Sequence, residues 1–462
     1  MLRRYRPLVA EHLMWVTDPG DDRSGTDPRT EADPWTVAVD HYRDADPVAP
    51  NPGTDPHLES IKYTGYGLVL RAGVDTPEET SVHLMQLDEG PNYRWGIAGQ
   101  GGCGVLYYAA AGDVYSHNGK EDVGDRRHHD TDFCTNFGVW KDGAFRSIGR
   151  NTLEEPMYDL GTVTYGKLTA KDGENAYARP EYRSRSVLLA DTDYILTYDA
   201  VFSEGTEHRL SWFTHVDDEL PAIHLVEGGG RRTTVATNEV HGVWHDGSGD
   251  CMAVVSRRDD LAVTNTEAGC RVERPGGVDR AFRDQDRIEH DGDEYAFTGR
   301  AGLVREHDAG GTDLTLLDGT RLATGDLALS TPDGASVAVE ARVHDGADVD
   351  RVDGRIVNRD DAPVPVTVDV GDGTLRGSVD AYLDGDRAPI DRGRAVFEVP
   401  PGDHRWEITG SEPTPPRSTI ERTETGATEA VVHFTEAPAA TGYRVELSHD
   451  AGESWDPVSR AD

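Results

Sequence analysis

The chain has 462 residues, with 46 basic side chains against 85 acidic ones and a formal net charge of −39. That length leaves room for two to four domains with proper cores, and the charge argues against nucleic acid as a partner, because a phosphate backbone would meet net repulsion. Only five of the basic residues are Lys (Lys62, Lys120, Lys141, Lys167, Lys171), the other 41 being Arg. An acidic, Lys-poor surface stays hydrated in concentrated salt, where the Debye length shrinks to ~3 Å at 1 M, so a salt-loving source is expected.

In chain order, residues 7–16 have helical spacing and stop at Asp18-Pro19-Gly20, and 17–60 are rich in Asp, Pro and Gly. Residues 1–60 are therefore expected to be a short helical and loop segment. The basic start, Met1 to Pro7, is followed by Glu11 and His12, which interrupt any apolar stretch, so neither a signal peptide nor a twin-arginine signal is expected. No run approaches the ~20 apolar residues of a membrane span. Read literally, this is a cytoplasmic chain.

From Tyr63 onward, alternating apolar and polar residues predict strands every 8–15 residues. Arg183–Leu189 and Tyr194–Asp199, joined by Asp191-Thr192-Asp193, form the strongest hairpin signal. The fold class expected is mainly β: a large antiparallel sandwich of two long sheets over 61–325, then a smaller accessory sandwich over 326–410. A Pro-rich linker opens the segment 411–462, whose strands resemble the first half of a fibronectin type III module and stop part-way through it. Cys103, Cys134, Cys251 and Cys270 make no C-x-x-C pair; free thiols are favoured, with a Cys103–Cys134 bridge left open.

Chemistry concentrates between Asn92 and Asn151, where rings, imidazoles and guanidinium groups stand among glycines. Arg94, between Tyr93 and Trp95, suits a carboxylate clamp beside a ring on which a sugar stacks. His128 and His129 are the base candidates, flanked by Arg126, Arg127 and Asp130. A solvated charged loop explains the same run. Tyr115 and His117 share a face if extended, with Asn118 next to them, while an Asn-Gly turn is the plain alternative. Asn136, Arg150 and Asn151 complete the candidates for substrate binding. A divalent-cation site could be built from among His117, His128, His129, Asp130 or Asp132, although their spacing fits no standard metal pattern, and no metal ligand is assigned.

The run from about Tyr66 to His215 resembles the β-sandwich half of the heparinase II/III-like polysaccharide lyases. The features that carry the resemblance come in a fixed order: Leu70-Arg71, the apolar strand Val105 to Gly112, His117-Asn118-Gly119, Thr135-Asn136, the R-x-R-x-V-x-L hairpin ending at Tyr198-Asp199, and His215. Residues 7–60 look like the last turns of the helical toroid that those enzymes carry in front. The resemblance implies an acidic, uronate-containing polysaccharide as substrate, cleavage by β-elimination and an extracellular location. A separate helical toroid chain or domain would then complete the cleft. Two departures stand out. Most of the toroid is missing, and the family's H-x-H-x-D motif has no counterpart, because Trp95 to Gly102 reads W-G-I-A-G-Q-G-G. A non-catalytic carbohydrate-binding or structural sandwich is the alternative.

Overall fold

A computed structural model describes residues 60–63, 67–74, 76–85, 104, 106–117, 133–141, 144–147, 151–152, 156–170, 182–325, 327–343, 351–371, 375, 379–410, 420–425, 430–434, 446–447 and 456–457. The expected N-terminal helix lies outside these residues. The described part is mainly β, without a helix.

Four sheets carry the molecule. The first runs in chain order through β1 (Ile61–Tyr63), β2 (Gly67–Ala72), β3 (Thr80–Met85), β4 (Leu106–Ala110) and β5 (Asp113–Val114). The second has the order β15 (Arg231–Ala236), β16 (Val240–Ser248), β13 (Glu207–His215), β6 (Asn136–Lys141), β7 (Ala144–Ser147). The third has the order β14 (Ala222–Glu227), β17 (Cys251–Ser256), β12 (Tyr194–Val201), β11 (Tyr182–Ala190), β10 (Val163–Ala170), β8 (Asn151–Thr152), with β9 (Tyr158–Asp159) also on β10.

The fourth sheet is the largest. Its path is β18 (Ala262–Thr266), β19 (Gly269–Arg274), β20 (Gly277–Asp291), β21 (Tyr295–His307), β22 (Thr312–Thr324), β24 (Val337–Val343), β25 (Arg351–Asn358), β31 (Gly402–Thr409), β27 (Asp380–Leu383), β28 (Asp386–Ala388). From β22 it branches through β23 (Leu327–Ser330) to β26 (Val364–Asp369), β30 (Arg394–Val399) and β29 (Ile390–Asp391). The sheet thus runs without a break past residue 325. Two small pairs follow: β32 (Ile420–Thr425) with β33 (Ala430–Phe434), and β34 (Glu446–Leu447) with β35 (Asp456–Pro457).

The hairpin predicted at 183–199 is β11–β12, with Ala190 opposite Tyr194. Asp191 takes the left-handed turn position at φ 49°, which Asp tolerates better than most residues. Every residue of β12, and all of β11 except Arg183, is buried. Alternation explains this: Val187, Leu189 and Ile195 face a core shared with the first two sheets, while Leu188, Tyr194, Leu196 and Tyr198 face a core shared with the fourth. The third sheet is therefore an inner layer, with a core on each of its faces.

The fourth sheet repeats the pattern. Ala281, Leu303 and Leu317 point to the core under the third sheet, and their neighbours Phe282, Val304 and Leu316 point to another core closed by β23, β26 and β30. Ions are buried between the third and fourth sheets: Asp279 takes Arg305 at 2.8 Å, Arg274 at 2.8 Å and the Tyr194 hydroxyl at 2.8 Å. Unpaired, such charges would cost several kcal/mol each, and the Tyr194 hydroxyl ties the cluster to the third sheet.

Candidate functional site

The sequence-rich region is rooted at one end of the first two sheets. The chain leaves β3 at Met85, whose carbonyl accepts from Gly104 N at 2.9 Å. Two residues on, Leu106 N donates to Thr135 O at 3.0 Å, and Thr135 N donates to His117 O at 2.6 Å. The His117 ring nitrogen Nδ1 lies 3.3 Å from the Phe133 carbonyl. The Thr135 hydroxyl donates to Phe213 O at 2.9 Å, tying the group to β13. The described residues that flank segments 86–103 and 118–132 thus converge. Tyr93, Arg94 and Trp95 belong to the first segment, Asn118, His128 and His129 to the second, and all six lie outside the described residues.

Tyr115 is 8% exposed. Its ring is tilted against Tyr108 at 5.6 Å, and its carbonyl accepts from Trp212 Nε1 at 2.6 Å. Burial, with Asp113 and Glu219 nearby, raises its pKa, so the phenol keeps its proton and suits an acid better than a base. His117 is half-buried two residues on. Asn136 is fully buried at the start of β6, opposite Ser211 of β13. Asn151 opens the short strand β8 in the third sheet, paired to Ala170, so the structure does not bring it onto the Asn136 sheet. Arg150 lies outside the described residues.

Alternation on β13 puts His208, Leu210 and Trp212 on one face of the second sheet and Arg209, Ser211 and Phe213 on the other. The registers place Asn136, Ser211 and Trp244 in one row across that second face, and Gly138, Arg209 and Asp246 in the next. Asp246 grips Arg209 bidentately at 2.7 and 3.2 Å. The same guanidinium lies over the Trp244 ring at 4.2 Å and the Trp140 ring at 4.9 Å. Phe133 stacks on Trp244 at 6.2 Å and meets Phe213 edge-on at 5.6 Å.

Sequence reasoning singled out neither this Arg nor Trp140 and Trp244. The signal that could have found them is the alternation R-x-S-x-F over Arg209 to Phe213. The arginine itself is buried, and the two half-buried indoles that it braces offer flat rings, the equipment for packing on sugar rings.

Among the described residues no group of three or more His, Cys, Asp or Glu side chains could hold a metal ion, and no helix is long and apolar enough to cross a membrane. Cys251 and Cys270 are buried thiols, the second with its pKa pushed up to about 12 by burial and by Asp279. They are poor nucleophiles at neutral pH.

No family model matches the chain, and no curated protein sequence does. Among solved structures it is similar to the heparan sulfate lyase HepC from Pedobacter heparinus at 11% identity and a TM-score of 0.32, covering 61% of this chain. It is also similar to the heparinase III BT4657 gene product at 12% identity and a TM-score of 0.35, covering 59%. In both cases the chain spans about half of that structure's length, 46%.

Proposed function

We propose that the chain is the β-scaffold of a polysaccharide lyase-like protein that acts on an acidic, uronate-containing polysaccharide. The observation that carries this reading is the convergence of the residues flanking both chemistry-rich segments beside a face bearing Arg209, Trp140 and Trp244. In the reaction, Arg94 and Asn118 neutralise the uronate carboxylate, which acidifies the adjacent ring proton. His128 or His129 removes that proton, and Tyr115, held neutral by burial, protonates the departing O4 as the C4–O4 bond breaks and a ring double bond forms. Tyr93, Trp95, His117 and Arg150 bind the polymer around it.

The test is incubation with alginate, ulvan, heparin and pectate in high salt, following the ultraviolet absorbance of the unsaturated uronate. His128→Ala combined with His129→Ala is expected to lower the rate by roughly 10²–10⁴-fold with binding retained. Glycan binding without cleavage is the second reading, and the burial of the Tyr115 ring favours it. Binding of these polymers without any unsaturated product would decide for it.

A further inference from the structure

A separate cleft of about 600 Å³ opens between the third and fourth sheets, within the size range of small-molecule sites. Three consecutive strands break register at its floor. β20 shifts against β21 between Arg283 and Ile288, and β21 shifts against β22 from Thr298 to Gly302. Gly299 and Gly319 face each other there, and a Cβ on Gly299 would stand 2.4 Å from Gly319 Cα. Bulges of this kind bend strands and re-aim side chains, and they gather beside functional sites.

The re-aimed groups are polar and come in pairs. Arg287 contacts Asp333 at 2.8 Å and Thr320 at 3.0 Å, and Arg300 contacts Asp318 at 3.3 Å. Both side chains are exposed, at 41% and 48%. Across the cleft stand Tyr158, Tyr165 and Lys167 of the third sheet. Burial and Asp318 raise the Tyr158 pKa, which keeps that phenol neutral.

Charge then selects the ligand. Lys167, Arg287 and Arg300 are matched by Asp286, Asp318 and Asp333, so the cleft is formally neutral on a chain of −39. An acidic sugar would meet as many carboxylates as cations. Uncharged hydroxyls instead meet both donors and acceptors, with Tyr158, Tyr165 and Leu317 as the apolar part of the lining.

We propose that this cleft binds a neutral saccharide, a hexose or pentose unit of a glycan, independently of the uronate chemistry above. The test is ligand-observed NMR and calorimetry with cellotriose, mannotriose, galactobiose and xylotriose, with glucuronate and galacturonate as charged comparators. At least one neutral sugar is expected to bind with a Kd of about 1 mM. Arg287→Ala and Arg300→Ala are each expected to weaken it at least tenfold without changing the melting temperature. Both side chains are exposed, so neither variant endangers folding.

Binding is expected to survive in His128→Ala, and failure of uronate cleavage leaves the proposal standing because the readout is uncharged sugar. No binding by any neutral sugar in the panel, displacement by the uronates, or unchanged affinity in both arginine variants overturns it.

Discussion

Two buried side chains titrate in opposite senses. Asp199 is fully buried beside Arg185 at 2.9 Å, and burial lifts its pKa to about 6 although Arg185 and Tyr182 pull it down. Its protonated form is favoured on folding, so its contribution is fully present below about pH 4 and is lost as pH rises through about 6. His245, 6% exposed, has its pKa lowered to about 4 by burial and by Arg232. Its contribution is present above its usual value of 6.5 and is lost as pH falls towards 4. Each amounts to roughly 3 kcal/mol, and the two offset each other between pH 4 and 6. In urea titrations across that range, His245→Gln is expected to leave a stability that falls with rising pH. Asp199→Asn should leave one that rises. Parallel pH profiles for wild type and both variants would refute this assignment.

At the scale of elements, Gly354 of β25 decides how closely β24 and β31 approach. Trp406, its partner on β31, reaches past it to donate Nε1 to the Glu340 carbonyl at 2.9 Å. A Cβ on Gly354 would stand 1.9 Å from that carbonyl oxygen and 3.1 Å from the indole nitrogen. Gly354→Ala is expected to destabilise by about 1–3 kcal/mol, seen as a lowered melting temperature, whereas an unchanged melt would place the indole elsewhere. Much at this scale was legible in the sequence. The hairpin β11–β12 and the strands β24 and β25 follow from alternation and turn residues alone. The strands between 262 and 307 did not, because Asp279 and Arg305 occupy inward positions as an ion pair and break the apolar alternation. The candidate site was half legible. Tyr115, His117 and Asn136 stand out locally, but Arg209 and Trp244 join them only through the pairing of β6, β13 and β16, which no local spacing announces.

For the whole molecule, a charge of −39 makes self-repulsion a standing load on the fold. Salt shortens its range from ~10 Å at 0.1 M to ~3 Å at 1 M. The melting temperature is therefore expected to rise between these salt concentrations, and a uronate polymer should associate faster in the higher salt, opposite to the trend for oppositely charged partners. A melting temperature that falls over that range would remove the screening argument. The fourth sheet fixes how the chain can be divided. β22 holds β21 along one edge and β24 along the other, where Thr312–Leu316 pair with Val339–Val343. Severing the backbone after residue 325 would strip that edge and leave a row of bare amides, a template for foreign strands to assemble on. Gene shuffling cannot move the downstream part as a free cassette unless the recipient supplies a matching strand for β24.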